Sequence, residues 1–371
     1  MPVEQLHIDK FINLTKTYPV LDVRSPAEFS HAHIPGAFSL PLFSDEQRKI
    51  IGTAYKQQSR QAAVDIGLQY FSVRMKNVLE ETNTIINSRR KLNTAVVHKE
   101  NAVLMYCWRG GMRSGAMAWL LSLYGFRIYA LSGGYKSFRR WALAQFEKEY
   151  KLQIIGGYTG SGKTDILQKL KQDGHRVVDL EDLASHKGSA FGALAGGLQP
   201  GVEMFENKLA YELYSVLNKK NDLATGNGYT KDEESIWLED ESMHIGSVGI
   251  PKNFWNQMRR SKLFFLDIPF EERLKNILAG YGKYEKDKLA ACIMKIQKRL
   301  GGQDTKNTLK FLNEARMEEC FSVLLRYYDK MYHQSLHNRE NLASLLNKIP
   351  CTSVDINNAH NLCEAKAATF I

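Results

Sequence analysis

Gly157-Tyr158-Thr159-Gly160-Ser161-Gly162-Lys163-Thr164 follows the apolar run Leu152-Gln153-Ile154-Ile155 and precedes Asp165-Ile166-Leu167-Gln168-Lys169-Leu170, whose apolar residues recur at helical spacing. The octet fits the phosphate-binding pattern G-x-x-x-x-G-K-[ST], in the strand-to-helix setting that gives the pattern its meaning. Glycines let successive N–H groups close around phosphate oxygens at a helix N-terminus. Lys163 adds a point charge, and the Thr164 hydroxyl can hold Mg²⁺. Gly157, Gly160, Ser161, Gly162, Lys163 and Thr164 are therefore the candidate diphosphate-binding residues. Such a loop recognises a di- or triphosphate without reading the group attached to it.

Downstream, Arg176-Val177-Val178-Asp179-Leu180 reads as a short strand with Glu181 and Asp182 at its end, and residues 184–206 read as a long glycine-bearing loop of the kind that often binds substrate. Ser235-Ile236-Trp237-Leu238 leads into Glu239-Asp240-Glu241, the form of the acidic partner of a phosphate loop, where one carboxylate holds Mg²⁺. Thr164, Glu239 and Asp240 are the candidate metal-holding residues, and the sequence does not choose among Glu239, Asp240 and Glu241. Lys262-Leu263-Phe264-Phe265-Leu266-Asp267-Ile268 is a further buried strand. Strands alternating with helices predict a mostly parallel sheet covered on both faces. From Phe270 onward the pattern is helical, over Glu285–Leu300 and from Asp304 to about Leu336. Residues 251–330 hold 17 Lys and Arg against 10 Asp and Glu, with Tyr281, Tyr284, Tyr327 and Tyr328 interspersed. Basic plus aromatic suits single-stranded RNA, and tyrosines at helical spacing suit a core equally well.

Upstream, the chain carries a second strand-loop-helix unit. Ala102-Val103-Leu104-Met105-Tyr106 is an apolar run, Cys107-Trp108-Arg109-Gly110-Gly111-Met112-Arg113-Ser114 follows, and Gly115 to Leu121 is helical. A cysteine at a strand end beneath a helix N-terminus has its thiolate favoured by N–H dipoles, with Arg109 and Arg113 nearby to assist. Gly110 and Gly111 let the loop curl so that its N–H groups converge on one anion, and Ser114 closes the candidate anion-binding loop. Nearer the N-terminus, Val20-Leu21-Asp22-Val23-Arg24 reads as a strand whose Asp22 and Arg24 are structural. Ser25-Pro26 opens a helix, and residues 44–95 form a charged helical insertion with a basic patch at Arg89-Arg90-Lys91. Phe126 to Leu131 is another strand, and Lys136 to Tyr150 a basic amphipathic helix that leads into the second half.

A chain of 371 residues exceeds one compact core and suggests two domains. Fifty Lys and Arg against 40 Asp and Glu favour a polyanionic partner over a neutral metabolite. Five cysteines with no C-x-x-C pair indicate neither a disulfide framework nor a zinc cage, and suit a reducing compartment. The N-terminus lacks a basic segment followed by an apolar one, and no run reaches the ~18 apolar residues of a membrane span. A cytoplasmic protein is expected.

Taken together, the motifs closely resemble one family, the tRNA 2-selenouridine synthases. The first half resembles a rhodanese through Leu21-Asp22-Val23-Arg24, His33-Ile34-Pro35-Gly36-Ala37, the Cys107 loop and Leu131-Ser132-Gly133-Gly134-Tyr135. The second half matches through Gly157 to Thr164, His186-Lys187-Gly188-Ser189 and Leu238-Glu239-Asp240-Glu241-Ser242. The resemblance implies an α/β protein with a rhodanese-like parallel-sheet domain over residues 1–145, including the helical insertion 44–95. A P-loop NTPase-like parallel-sheet domain over 146–371 would follow, with a basic helical C-terminal region over 270–371. It also implies modification of the wobble uridine of tRNA, 2-thiouridine becoming 2-selenouridine by S-geranylation from geranyl diphosphate and then selenation from selenophosphate. Cys107 would carry selenium as an S-selanylcysteine, with Arg109, Arg113, Gly110, Gly111 and Ser114 cradling the selenophosphate, and the 157–164 loop would hold the diphosphate. No tightly bound cofactor is expected, Mg²⁺ being a helper. The expected partners are the anticodon loop of tRNA and, as a candidate, an enzyme supplying selenophosphate. No membrane association is expected, and the chain is expected to be a monomer.

Cys107 to Arg113 also fits C-x-x-G-x-x-R, the seven-position loop of cysteine phosphatases, one residue longer than a typical sulfurtransferase loop. A longer loop admits a larger anion, either a phosphate ester or selenophosphate. The competing readings are an ATP-dependent sulfurtransferase or kinase-like enzyme acting on RNA, and a non-catalytic RNA-binding module whose loops merely hold anions.

Overall fold

Ala102–Tyr106 and Lys151–Gly157 are strands whose buried residues are consecutive rather than alternate, and each occupies the centre of a five-stranded parallel sheet. A central parallel strand is covered on both faces and has no solvated side to alternate with. The structure is a computed structural model that describes residues 3–92, 101–195, 197–218 and 235–368, and the chain divides after Ala144 into two compact units.

The first unit runs β1 (Glu4–Leu6), α1 (Ile8–Leu14), β2 (Val20–Asp22), α2 (Pro26–His31), β3 (Ala37–Ser39), α3 (Asp45–Gln57), α4 (Arg60–Leu92), β4 (Ala102–Tyr106), α5 (Met112–Leu123), β5 (Arg127–Leu131) and α6 (Gly134–Gln145). Its strand order is β1-β5-β4-β2-β3, every pair parallel. The expected helical insertion is α3 packed on α4; residues 93–95 and the side chains of Arg89, Arg90 and Lys91 lie outside the described residues. Asp22 and Arg24 are structural, as read. Fully buried, they pair at 2.6 Å, and Arg24 also donates to the Ala32 carbonyl while Tyr106 donates to Asp22. The Arg24 guanidinium lies 3.9 Å from the centre of the Tyr135 ring, which ties β2 to the chain just after β5.

The second unit runs β6 (Lys151–Gly157), α7 (Lys163–Gln172), β7 (Arg176–Val177), α8 (Leu180–Ala184), α9 (Gly192–Ala195), α10 (Val202–Leu217), β8 (Ser235–Glu239), β9 (His244–Ile245), β10 (Val248–Gly249), α11 (Lys252–Arg260), β11 (Lys262–Asp267), α12 (Phe270–Tyr281), α13 (Lys286–Leu300), α14 (Gly302–Asn313), α15 (Met317–His337), α16 (Leu342–Leu345), β12 (Leu346–Pro350) and α17 (Asn358–Ala368). The parallel sheet has the order β12-β11-β6-β8-β7, and β9 and β10 form a separate antiparallel ribbon.

Several sequence expectations are corrected here. The C-terminal region is not wholly helical, since β12 pairs in parallel with β11 and completes the sheet. The continuous pattern from Asp304 breaks into α14 and α15, with Ala315 at φ +60° between them. The loop expected over 184–206 is shorter, because α10 starts at Val202 with Phe205, Leu209 and Leu213 buried four residues apart. Its C-terminal end is anchored by Gln199, which donates to the carbonyls of Ala184 and Ile245 and accepts from the Ser247 N–H. Tyr281, Tyr284, Tyr327 and Tyr328 pack with Phe191 and Phe321 against a buried cluster of α12, α13 and α15, which favours the core reading over base stacking.

Candidate functional site

In each unit the reactive loop leaves the C-terminal end of the central strand, where open α/β sheets open a crevice for ligands. In the first unit Cys107 directly follows β4 and faces the start of α5, whose N-cap is Gly111. Sγ lies 3.2 Å from Ser114 Oγ and accepts from the Gly111 N–H at 3.3 Å. Burial would raise the thiol pKa. Hydrogen bonds from the Ser114 hydroxyl and from the N–H groups of Gly111, Ser114 and Arg109 more than offset it and leave the thiol below its ordinary value. The sequence reading credited the guanidiniums of Arg109 and Arg113 as well, and that part is corrected. Arg113 is occupied by Glu28, at 2.7 Å, and Arg109 contributes its backbone N–H. Glu28, although buried enough to favour its neutral form, is held below the usual carboxyl range by Arg113, the Ser25 N–H and Arg48.

The loop is pressed against Ser132-Gly133-Gly134-Tyr135. A Cβ on Gly134, at φ +57°, would fall 2.6 Å from the Gly110 nitrogen and closer still to the Cys107 carbonyl oxygen. The Tyr135 N–H donates to that carbonyl at 2.8 Å. The paired glycines after β5 thus allow the contact that shapes the cysteine loop.

In the second unit Gly157, Gly160 and Gly162 have φ of +153°, +83° and +75°, so the phosphate loop has the backbone only glycine adopts freely. Lys163 Nζ donates to the Gly157 carbonyl at 2.9 Å, and Thr164 Oγ1 to Glu181 at 3.2 Å. Residues far along the chain brace the loop. Arg273, 3% exposed, donates to the Thr159 carbonyl and is clamped by Asp329 at 2.7 Å. Asn276 donates to the Gly160 carbonyl, and Tyr332 accepts from the Gly157 N–H.

The three candidate acids have different positions. Asp240 accepts from Tyr332 at 2.7 Å and from the buried Arg339 at 2.6 Å, so both of its oxygens are committed to structure and it is not available as the metal ligand expected from sequence. Glu239 is buried, accepts from the Glu181 N–H through Oε1, and its Oε2 has no hydrogen-bond partner among the described residues. Burial and the charges of Asp179 and Glu241 push it well above the usual carboxyl range. Glu241 and Glu181 flank Gly188, whose φ of +52° and whose missing Cβ, which would sit 2.8 Å from Glu241 Oε2, explain the glycine of His186-Lys187-Gly188-Ser189. Glu181 stood in the sequence only as a strand-end acid; its bond to Thr164 brings it into the site. Arg273, Asn276, Tyr332 and Arg339 were missed, because they lie more than ninety positions along the chain from the site groups they bind.

Among the described residues no three His, Cys, Asp or Glu side chains form a preformed metal cage. The hard oxygen donors Thr164, Glu181 and Glu239, with one carboxylate oxygen unpartnered, do fit Mg²⁺ held by one or two carboxylates together with substrate phosphates.

Glu241 gives a test of the cluster. Burial and then the Glu181 charge raise it to about 8, against the Lys163 charge. A carboxyl with a raised folded-state pKa contributes stability that is complete below its unfolded value and is lost as pH rises to about 8. Glu241→Gln is therefore expected to melt increasingly above wild type as pH goes from 5 to 9. Thermal melts at pH 5, 7 and 9 check this, and parallel curves for the two proteins would refute it.

Residues 150–348 match the family described as tRNA 2-selenouridine synthase AAA domain, and residues 7–140 match the rhodanese-like domain. A tRNA 2-selenouridine synthase from Nitrosomonas europaea is 31% identical over 368 residues, covering 86% of this chain and 90% of its own. Proteins of the same name from Sulfurovum sp. and Shewanella denitrificans are each 32% identical, covering 85% and 87% of this chain and 87% and 89% of theirs.

Proposed function

Because this chain belongs to the tRNA 2-selenouridine synthase family, we propose that it converts 2-thiouridine to 2-selenouridine at the wobble position of tRNA in two steps, one at each loop. The observation that carries the reading is the pairing, in one chain, of a thiol hydrogen-bonded by Ser114 and Gly111 with a braced phosphate loop, each at the end of a central strand.

In the first step the thiocarbonyl sulfur attacks the allylic carbon of geranyl diphosphate, the carbon–oxygen bond breaks, diphosphate leaves, and the N3 proton of the base passes to solvent. Lys163, Thr164 and the N–H groups of Gly160, Ser161 and Gly162 stabilise the charge gathering on the leaving group. Lys163 would give up its bond to the Gly157 carbonyl for a phosphate oxygen. Thr164, Glu181 and Glu239 would hold Mg²⁺, which when bound supplies further charge neutralisation. In the second step the Cys107 thiolate attacks the selenium of selenophosphate, the selenium–phosphorus bond breaks with its electron pair on phosphorus so that phosphite departs, the selenium of the resulting Cys–S–Se⁻ attacks C2 of the base, and geranylthiolate leaves. Gly110, Gly111, Ser114 and the Arg109 N–H form the anion cradle, with Arg113 oriented by Glu28. A thiol reductant then cleaves the sulfur–selenium bond to the carrier. The target base lies in an anticodon loop, which can present it unstacked at low cost.

The test is incubation of an anticodon stem-loop RNA containing 2-thiouridine with geranyl diphosphate and then selenophosphate, followed by mass analysis of the nucleosides. S-geranyl-2-thiouridine is expected after the first addition and 2-selenouridine after the second. Product that depends on ATP, with no geranylated nucleoside, would favour the ATP-dependent reading instead.

A further inference from the structure

Within the first unit, α3, α4 and the start of α5 enclose a cavity of about 790 Å³, within the roughly 300–1,000 Å³ of small-molecule sites. Phe43, Ile51, Leu68 and Phe71 line it, and none of its lining residues is Asp or Glu. Leu68 and Met112, also part of the wall, are more than half exposed, an apolar surface that a ligand would cover. Arg48, Lys49 and Lys56 of α3 and Arg113 of α5 supply the cationic part of the lining, Arg48 with Glu28 at 3.9 Å and Arg113 with the same carboxylate. The occupant indicated is amphipathic, a hydrocarbon chain attached to a polyanion.

The wall and the residue that hydrogen-bonds the thiol share one helical turn. Met112, Arg113, Gly115 and Ala116 line the cavity, and Ser114 between them is the residue whose hydroxyl lies 3.2 Å from Cys107 Sγ. A chain seated there packs on the same helical turn that carries the thiol's hydrogen-bond partner. Two of the lining residues, Gly52 and Gly115, are helical glycines at ordinary φ, and a Cβ built on either meets no atom within 4 Å.

We propose that this cavity seats the prenyl chain of the S-prenylated nucleoside while Cys107 delivers selenium, with the cations of α3 meeting the RNA phosphates. The cavity is then a leaving-group subsite within the first unit. This assignment rests on the two-step reading above.

The test uses full-length Gly115→Phe and, from the α3 side, Gly52→Phe, each filling the cavity from a position with room for the new side chain. Both are assayed with selenophosphate on two anticodon stem-loop RNAs, one carrying S-geranyl-2-thiouridine and one S-methyl-2-thiouridine. Selenation of the geranyl RNA is expected to fall at least about tenfold, the scale on which apolar pockets sort chains by size, through a raised KM. The methyl RNA is expected to react as with wild type. Unchanged melting temperature and unchanged alkylation of Cys107 by iodoacetamide identify the folded variant; if one variant fails these, the other decides. An undiminished rate on the geranyl RNA, or equal loss on both RNAs, overturns the proposal. Wild-type protein inert on both RNAs would instead sink the two-step reading. The cavity is then judged by calorimetric binding of the S-geranyl-2-thiouridine nucleoside, expected for wild type and lost in Gly115→Phe; no binding to wild type overturns it.

Discussion

Replacing Cys107 by alanine is expected to abolish selenium incorporation, by about a thousandfold or more, while S-geranylated RNA still forms and accumulates. The thiol is the one side chain of its loop able to form a covalent chalcogen bond, and its hydrogen bonds from Ser114 and Gly111 stabilise the anionic form needed for attack. The substitution removes one buried sulfur and leaves the contacts of the loop backbone with Gly134 and Tyr135 in place, so the fold of the first unit should survive. Nucleoside mass analysis of treated RNA checks the outcome. Wild-type yields of 2-selenouridine from the variant would remove Cys107 from the mechanism.

Lys163→Ala should produce the opposite block. Loss of the ammonium takes charge away from the departing diphosphate, an effect on the order of a hundredfold or more on the prenyl transfer, while RNA supplied already geranylated is selenated at the wild-type rate. The lysine's contact in this structure is with the Gly157 carbonyl, and the loop is otherwise braced by Arg273, Asn276 and Tyr332. The variant should therefore melt close to wild type. Separate assays of the two half-reactions measure this, and equal loss in both halves would show that the phosphate loop serves something other than prenyl transfer.

Both loops were legible in the sequence because their requirements are local. A consecutive apolar run predicts a central parallel strand, and clustered glycines beside a cysteine or a lysine predict an anion-binding turn. β4 and β6 accordingly fall where the runs do. Edge strand β12 was not legible, since its residues Leu346-Asn347-Lys348-Ile349-Pro350 bury only Ile349 and carry neither a run nor an alternation. The division of labour among Glu239, Asp240 and Glu241 was also hidden. Adjacent acids look alike until Tyr332 and Arg339, more than ninety residues later, take up Asp240 and leave Glu241 to the charge of Lys163. Likewise, the spacing of Arg113 suggested an anion ligand, and only the fold brings Glu28 across 85 positions to hold it. Local chemistry thus gave the candidate groups, and long-range pairing decided which were committed to structure.

The bracing of the phosphate loop by α12 and α15 bears on the order of biosynthesis. A ribosome has made Gly157 to Thr164 long before it makes Tyr332, and β12, which closes one edge of the same sheet, comes later still. Sequence-distant contacts form late and expose unfinished surface while they wait. A nascent chain halted before residue 330 would hold the octet with Arg273 and Asn276 but without Tyr332 and the edge strand β12, so phosphate-bearing ligands should grip it fully only when translation is nearly done.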